Sequence, residues 1–133
     1  MAVDRIVLPP KQPALRVVPM PADSNANGDI FGGWVMAQVD VAGAIPAMRL
    51  ARGRVATVSV NSFQFKQAIS VGDIVSLYAE IVHVGRTSIT VNVEVYAERN
   101  YASPVTVKVT EAQLTYVAID GNGEKRPVPP QNT

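Results

Sequence analysis

Asp40 is the only formal charge between Trp34 and Met48, a segment otherwise apolar or neutral. A carboxylate isolated among apolar side chains is costly unless a partner or a reaction uses it. Its ordinary use would be to cap or pair with a neighbour such as Arg49. Its chemical use would be as a general base, taking a proton from a water held beside it. Eight residues earlier stands Gly32-Gly33, after the turn-forming run Asn25-Ala26-Asn27-Gly28-Asp29. A glycine pair that opens a helix leaves backbone N–H groups free to meet developing negative charge. Glycine also lets a substrate approach the main chain closely. An amide donor at a helix start and a carboxylate further along the same helix suit acyl hydrolysis without a nucleophilic triad.

These groups need a helix to carry them, and the pattern predicts one from Gly32 or Gly33 to about Ala51. Pro46 should kink it or end its regular part, because proline donates no backbone bond. Arg52-Gly53-Arg54 reads as its end, with Gly53 as the cap. Before it lie an extended arm over residues 1–13, with Pro9, Pro10 and Pro13, and a first strand over 14–20 that Pro19 confines to an edge. After it come four strands, over 55–65, 74–84, 87–97 and 105–119. Ile89, Val91, Val93 and Val95 alternate with Thr90, Asn92 and Glu94, the signature of a half-buried strand. Val58 and Val60 set one phase and Phe63 and Phe65 the other, so a β-bulge is expected at Asn61-Ser62. Residues 125–133 are polar and Pro-rich and read as a loose tail. One α+β domain over 14–124 follows, an antiparallel sheet wrapped around one helix. The two-sided apolar strand over 74–84 calls for a dimer at least.

Composition removes several functions. The chain has 133 residues and a net charge of +1, with scattered Lys and Arg, so nucleic acid is not an expected partner. It has no cysteine and one histidine, which excludes disulfides, thiol catalysis and Cys- or His-rich metal sites. The N-terminus lacks the plan of a signal peptide, and a cytoplasmic protein is expected. Residues 30–50 are long enough to span a membrane, but their Gly, Gln, Asp, Pro and Arg residues favour a core helix.

The run from Asn25 through Gly32-Gly33-Trp34, with Met36 and Asp40 beyond it, resembles the hotdog-fold acyl-CoA thioesterases of the YciA type. The likeness continues through Gly53-Arg54-Val55, Thr57, Ser70-Val71-Gly72-Asp73 and Val84-Gly85-Arg86-Thr87-Ser88-Ile89, and ends at Gly121-Asn122-Gly123. It spans residues 15–128. It implies a hotdog fold, with protomers paired sheet to sheet, assembled as trimers of dimers, and the active site at the dimer interface. It puts the catalytic carboxylate on Asp40 and the carbonyl-polarising amide on Gly32 or Gly33. Asn25, Asn27 and Asp29 match the loop lining the site. Gly85, Arg86, Thr87 and Ser88 match the hairpin associated with coenzyme A, with Arg86 toward phosphate. Thr57 reads first as a strand former, with a polar role across the dimer interface as its alternative. No cofactor is implied beyond the coenzyme A of substrate and product. The sequence departs from the pattern at Asn61, where relatives carry an acidic residue, and at Pro46, Gln67 and Ala68. The inferred bulge would bring Asn61 near the site. Two other readings stand beside hydrolysis: a hotdog hydratase or dehydratase, which needs a histidine near the helix start, and a non-catalytic acyl-CoA sensor. His83 reads as a surface or satisfied strand residue.

Overall fold

A computed structural model describes residues 5–131. Five strands form one antiparallel sheet: β1 (Leu15–Val17), β2 (Val55–Phe65), β3 (Ile74–Val84), β4 (Ser88–Arg99) and β5 (Val105–Ala118). Their order across it is β1-β3-β4-β5-β2. One helix, α1 (Gly32–Ala51), lies against its inner face. This is the hotdog arrangement. Among the described residues no helix is long and apolar enough to cross a membrane.

The alternation in β4 decides which face is inner. Ile89, Val91, Val93 and Val95 are fully buried, and Leu114 and Tyr116 of β5 join them. The side of α1 that meets the sheet is built of Val35, Val39, Ala42, Gly43, Ala47 and Ala51. Four of these six are Ala or Gly, so the helix backbone sits close to the strands. The opposite side is also apolar but exposed, with Val41 and Met48. The helix runs unbroken through Pro46 as far as Ala51 and does not end there. The proline is half-buried, and packing on both sides of it outweighs one missing backbone bond.

The helix end departs from expectation. The left-handed residue is Arg52, at φ 54°, not Gly53. Gly53 serves a different need: a Cβ there would stand 2.8 Å from Nη2 of Arg126. That guanidinium donates to the carbonyls of Ala51 (2.8 Å) and Ile119 (3.0 Å), closing the helix C-terminus with a cation. The start of the Pro-rich tail is accordingly bonded to the domain. Arg126 N–H donates to Ala118 O, Val128 N–H donates to Arg86 O, and Val128 packs on the core.

β1 and β2 are the two edges. β1 has three residues and stops before Pro19, as its proline requires. The long edge, β2, carries two bulges against β5, at Val58 and at Asn61. The second is the expected one. Val82 of β3 and Val109 of β5 are further unpaired positions.

Candidate active site

Asp40 sits on the inner-facing flank of α1, half-buried, with its carboxylate toward β2 and β5. Thr57 Oγ1 donates to its Oδ1 at 2.6 Å. Tyr116 Oη lies 3.1 Å from the same Oδ1 and donates to the Asp40 carbonyl oxygen at 2.8 Å. Thr57 and Tyr116 are paired neighbours on β2 and β5, so the sheet register delivers both hydroxyls to one point. Oδ2 makes no hydrogen bond among the described residues. Burial, followed by the charge of Asp40 and the hydrogen bond to it, raises the Tyr116 phenol well above the ordinary tyrosine range, so it remains a donor. Gly43 makes room for the ring: a Cβ there would stand 2.5 Å from Tyr116 Oη.

The helix start forms a second group. Phe31, the N-cap, offers no side-chain acceptor, so the first N–H groups of α1 are left uncapped. Gly32 also lines a cleft of about 380 Å³, walled by Ile30, Val35, Phe65, Ile69 and Val109, with Lys66 and Gln67 beside them. The loop before the helix is tied by Asn25. Its Oδ1 accepts from the N–H groups of Asn27 (2.9 Å) and Asp29 (3.2 Å), and its own N–H donates to Asp29 O. Gly28, at φ +85°, supplies the left-handed turn. Asn25 is therefore committed to loop geometry, Asn27 is exposed, and Asp29 bridges to Ser70.

Gly85, Arg86, Thr87 and Ser88 form the β3–β4 hairpin at the far end of the sheet. Gly85 N–H donates to Ser88 O, and Thr87 O accepts from Ala118 N–H. Ser88 pairs with Val117, next to Tyr116, so the hairpin lies on the Asp40 side and far from Gly32. The Arg86 side chain is exposed and makes no hydrogen bond or ion pair among the described residues.

Asn61 is a correction. The bulge is real, but the Asn61 side chain bonds Thr115 Oγ1 (3.0 Å) and Gln113 Oε1 (3.4 Å). Those residues alternate with the inner-facing Leu114 and Tyr116, so Asn61 lies on the outer face, away from Asp40 of its own chain. A strand exposed on both faces gives no burial signal to fix that direction. His83 pairs with Thr90 of the same outer face, which leaves no histidine beside Asp40 among the described residues. Tyr116 and Gly43 were missed. The only local trace was a glycine inside a helix, three residues after Asp40, where it weakens the helix unless something needs the space.

The thioesterase superfamily matches residues 27–116, most of the chain. The chain belongs to the thioesterase superfamily. Within it, the chain is 50% identical over 119 residues to the acyl-CoA thioester hydrolase YciA of Salmonella typhimurium, covering 88% of this chain and 90% of the relative. Among solved structures it is similar to Cj0915, a hexameric hotdog-fold thioesterase of Campylobacter jejuni. That match has a TM-score of 0.86 at 44% identity, over 90% of this chain and 91% of the other. It is also similar to HI0827, a hexameric broad-specificity acyl-coenzyme A thioesterase. There the TM-score is 0.85 at 46% identity, over 95% of this chain and 86% of that one. For a thioesterase, the two groups separated along α1 are the ones to consider: a held carboxylate, and an uncapped helix start beside an apolar cleft.

Proposed function

We propose that this chain hydrolyses acyl-CoA thioesters to the free acid and coenzyme A. The observation that carries the mechanism is the Asp40 carboxylate, held at Oδ1 by two hydroxyl groups and unbonded at Oδ2. In this reading Oδ2 takes a proton from water, and the new hydroxide bonds to the thioester carbon. The carbonyl oxygen gathers negative charge and is met by the amide of Gly32 or Gly33. The C–S bond then breaks and the coenzyme A thiolate departs, a leaving group good enough to need no strong acid. The proton on Asp40 returns to the thiolate or to solvent. The apolar cleft beside Gly32 would receive the acyl chain, and the hairpin Gly85–Ser88 the coenzyme A end.

One chain is not enough for this. Gly33 and Asp40 share a helix face, but seven residues separate them by about 10 Å along the axis. An aspartate is too short to close that gap, so the amide and the carboxylate of one chain do not reach the same carbonyl. A second copy, turned about a two-fold axis, can bring its helix start to this chain's Asp40. The exposed apolar side of α1 and the uncovered edge of β2, where Val58 is 52% exposed, suit such a partner. The hexameric relatives support a homo-oligomer, and a trimer of dimers is the assembly we propose. A coenzyme A substrate also fits the cytoplasmic setting expected from the sequence.

Thiol release from a panel of acyl-CoAs, short to long and including an aromatic one, tests the activity. Release from at least one class is expected. Silence across the panel with tight coenzyme A binding would favour the sensor reading instead. Sharing is tested by mixing Asp40→Asn with a helix-start variant such as Gly33→Pro. Mixed oligomers should regain part of the activity that neither variant has alone, and mixtures as inactive as both parents would refute a shared site.

A further inference from the structure

We infer that Tyr116, seated in the space that Gly43 leaves open, is a positioning residue: it fixes the rotamer of Asp40 so that Oδ2 alone faces the reacting water. The inference rests on the reading of Asp40 as the base.

Few protons serve this carboxyl group. The phenol has one, and two Asp40 oxygens lie within reach of Oη: the carbonyl at 2.8 Å and Oδ1 at 3.1 Å. The carbonyl can only accept. An ionised Asp40 shares the phenol proton and takes a second from Thr57 Oγ1. Oδ1 is thereby held from two strands, and Oδ2 is left as the oxygen without a donor among the described residues. Tyr116 is fully buried and cannot drift from this place. Gly43 is the complementary half, because any side chain there would occupy the position of Oη.

The test is the pH profile of kcat/KM for one short acyl-CoA, comparing wild type with Tyr116→Phe. The phenylalanine ring fills the same space and lacks only the hydroxyl. With one donor gone the carboxylate holds its proton to higher pH. The acid limb should move to higher pH, and kcat should fall roughly 10- to 100-fold with KM within about twofold. Gly43→Ala, which displaces the phenol while keeping it, should move the limb in the same direction, and it carries the test if Tyr116→Phe fails to fold. A merely structural role would lower the folded fraction and leave the limb in place. An unmoved limb in the folded variants overturns the inference. Asp40→Asn, run alongside, separates the two levels: an active Asp40→Asn removes the underlying reading, whereas an inactive one beside an unmoved limb removes only the role of Tyr116.

Discussion

Replacing Gly43 by alanine should destabilise this protein, against the usual effect of that change in a helix. Alanine in place of glycine inside a helix ordinarily gains about 1 kcal/mol. Here the added methyl would stand 2.5 Å from Tyr116 Oη and 3.2 Å from the ring carbon that bears it. Real Cβ atoms do not approach so closely, and a fully buried tyrosine has nowhere to retreat without moving β5 or α1. Overpacking of this kind costs about 1–3 kcal/mol. Displacing the phenol from Asp40 costs about 1–2 kcal/mol more. The net is about 1–4 kcal/mol lost after the helix gain. Urea unfolding followed by circular dichroism measures it, at one fixed protein concentration because the proposed assembly would add a concentration dependence. Gly33→Ala is the control: nothing lies within 4 Å of its Cβ, so that variant should be neutral or slightly stabilised. Gly43→Ala as stable as wild type would refute the packing argument and, with it, the need for glycine at this position.

Thr57→Val should lower kcat roughly 10- to 100-fold with little change in KM, because it removes a 2.6 Å hydrogen bond to the carboxylate; steady-state kinetics with near-wild-type kcat would contradict this. Arg126→Ala should cost about 1–2 kcal/mol by stripping the cation from the end of α1. Activity per folded molecule should survive it, and an unchanged urea midpoint would count against the cap. Glu94 gives a pH prediction. Burial opposes its charge, but hydrogen bonds from Tyr96 (2.8 Å) and Lys108 outweigh it and hold its carboxyl below the ordinary glutamate range. A carboxyl depressed by folding stabilises above its unfolded value, about pH 4.3, and loses that contribution as pH falls through the lower folded value. Glu94→Gln should therefore be less stable than wild type at pH 7, with the gap narrowing as pH falls below about 4.3; a stability gap that does not narrow in acid would refute the assignment.

The long elements were legible because each buries one side. Four strands and the helix announced themselves through periods of two residues or through a run of apolar ones, and Pro and Gly marked the turns. The bulge at Asn61 broke the phase visibly. The bulge at Val58 did not, because β2 is exposed on both faces and an apolar residue is tolerated on either. The helix cap was misplaced by one residue, since Gly53 is there for the Arg126 side chain rather than for its own dihedral angles. Tyr116 lies 76 residues from Asp40, and nothing near it in the chain marks it as the carboxylate's partner. Only three dimensions bring the two together. Asp40 itself was readable, because a lone charge in an apolar helix calls for an explanation within its own segment.

The turnover of Asp40→Asn at saturating acyl-CoA, measured by thiol release on protein shown to keep its fold and assembly, tests the central claim most directly. Asparagine keeps the shape and the hydrogen bond from Thr57 but accepts no proton from water. The variant's kcat should fall roughly 10²- to 10⁴-fold, the range a general base contributes. A kcat within a fewfold of wild type would contradict it.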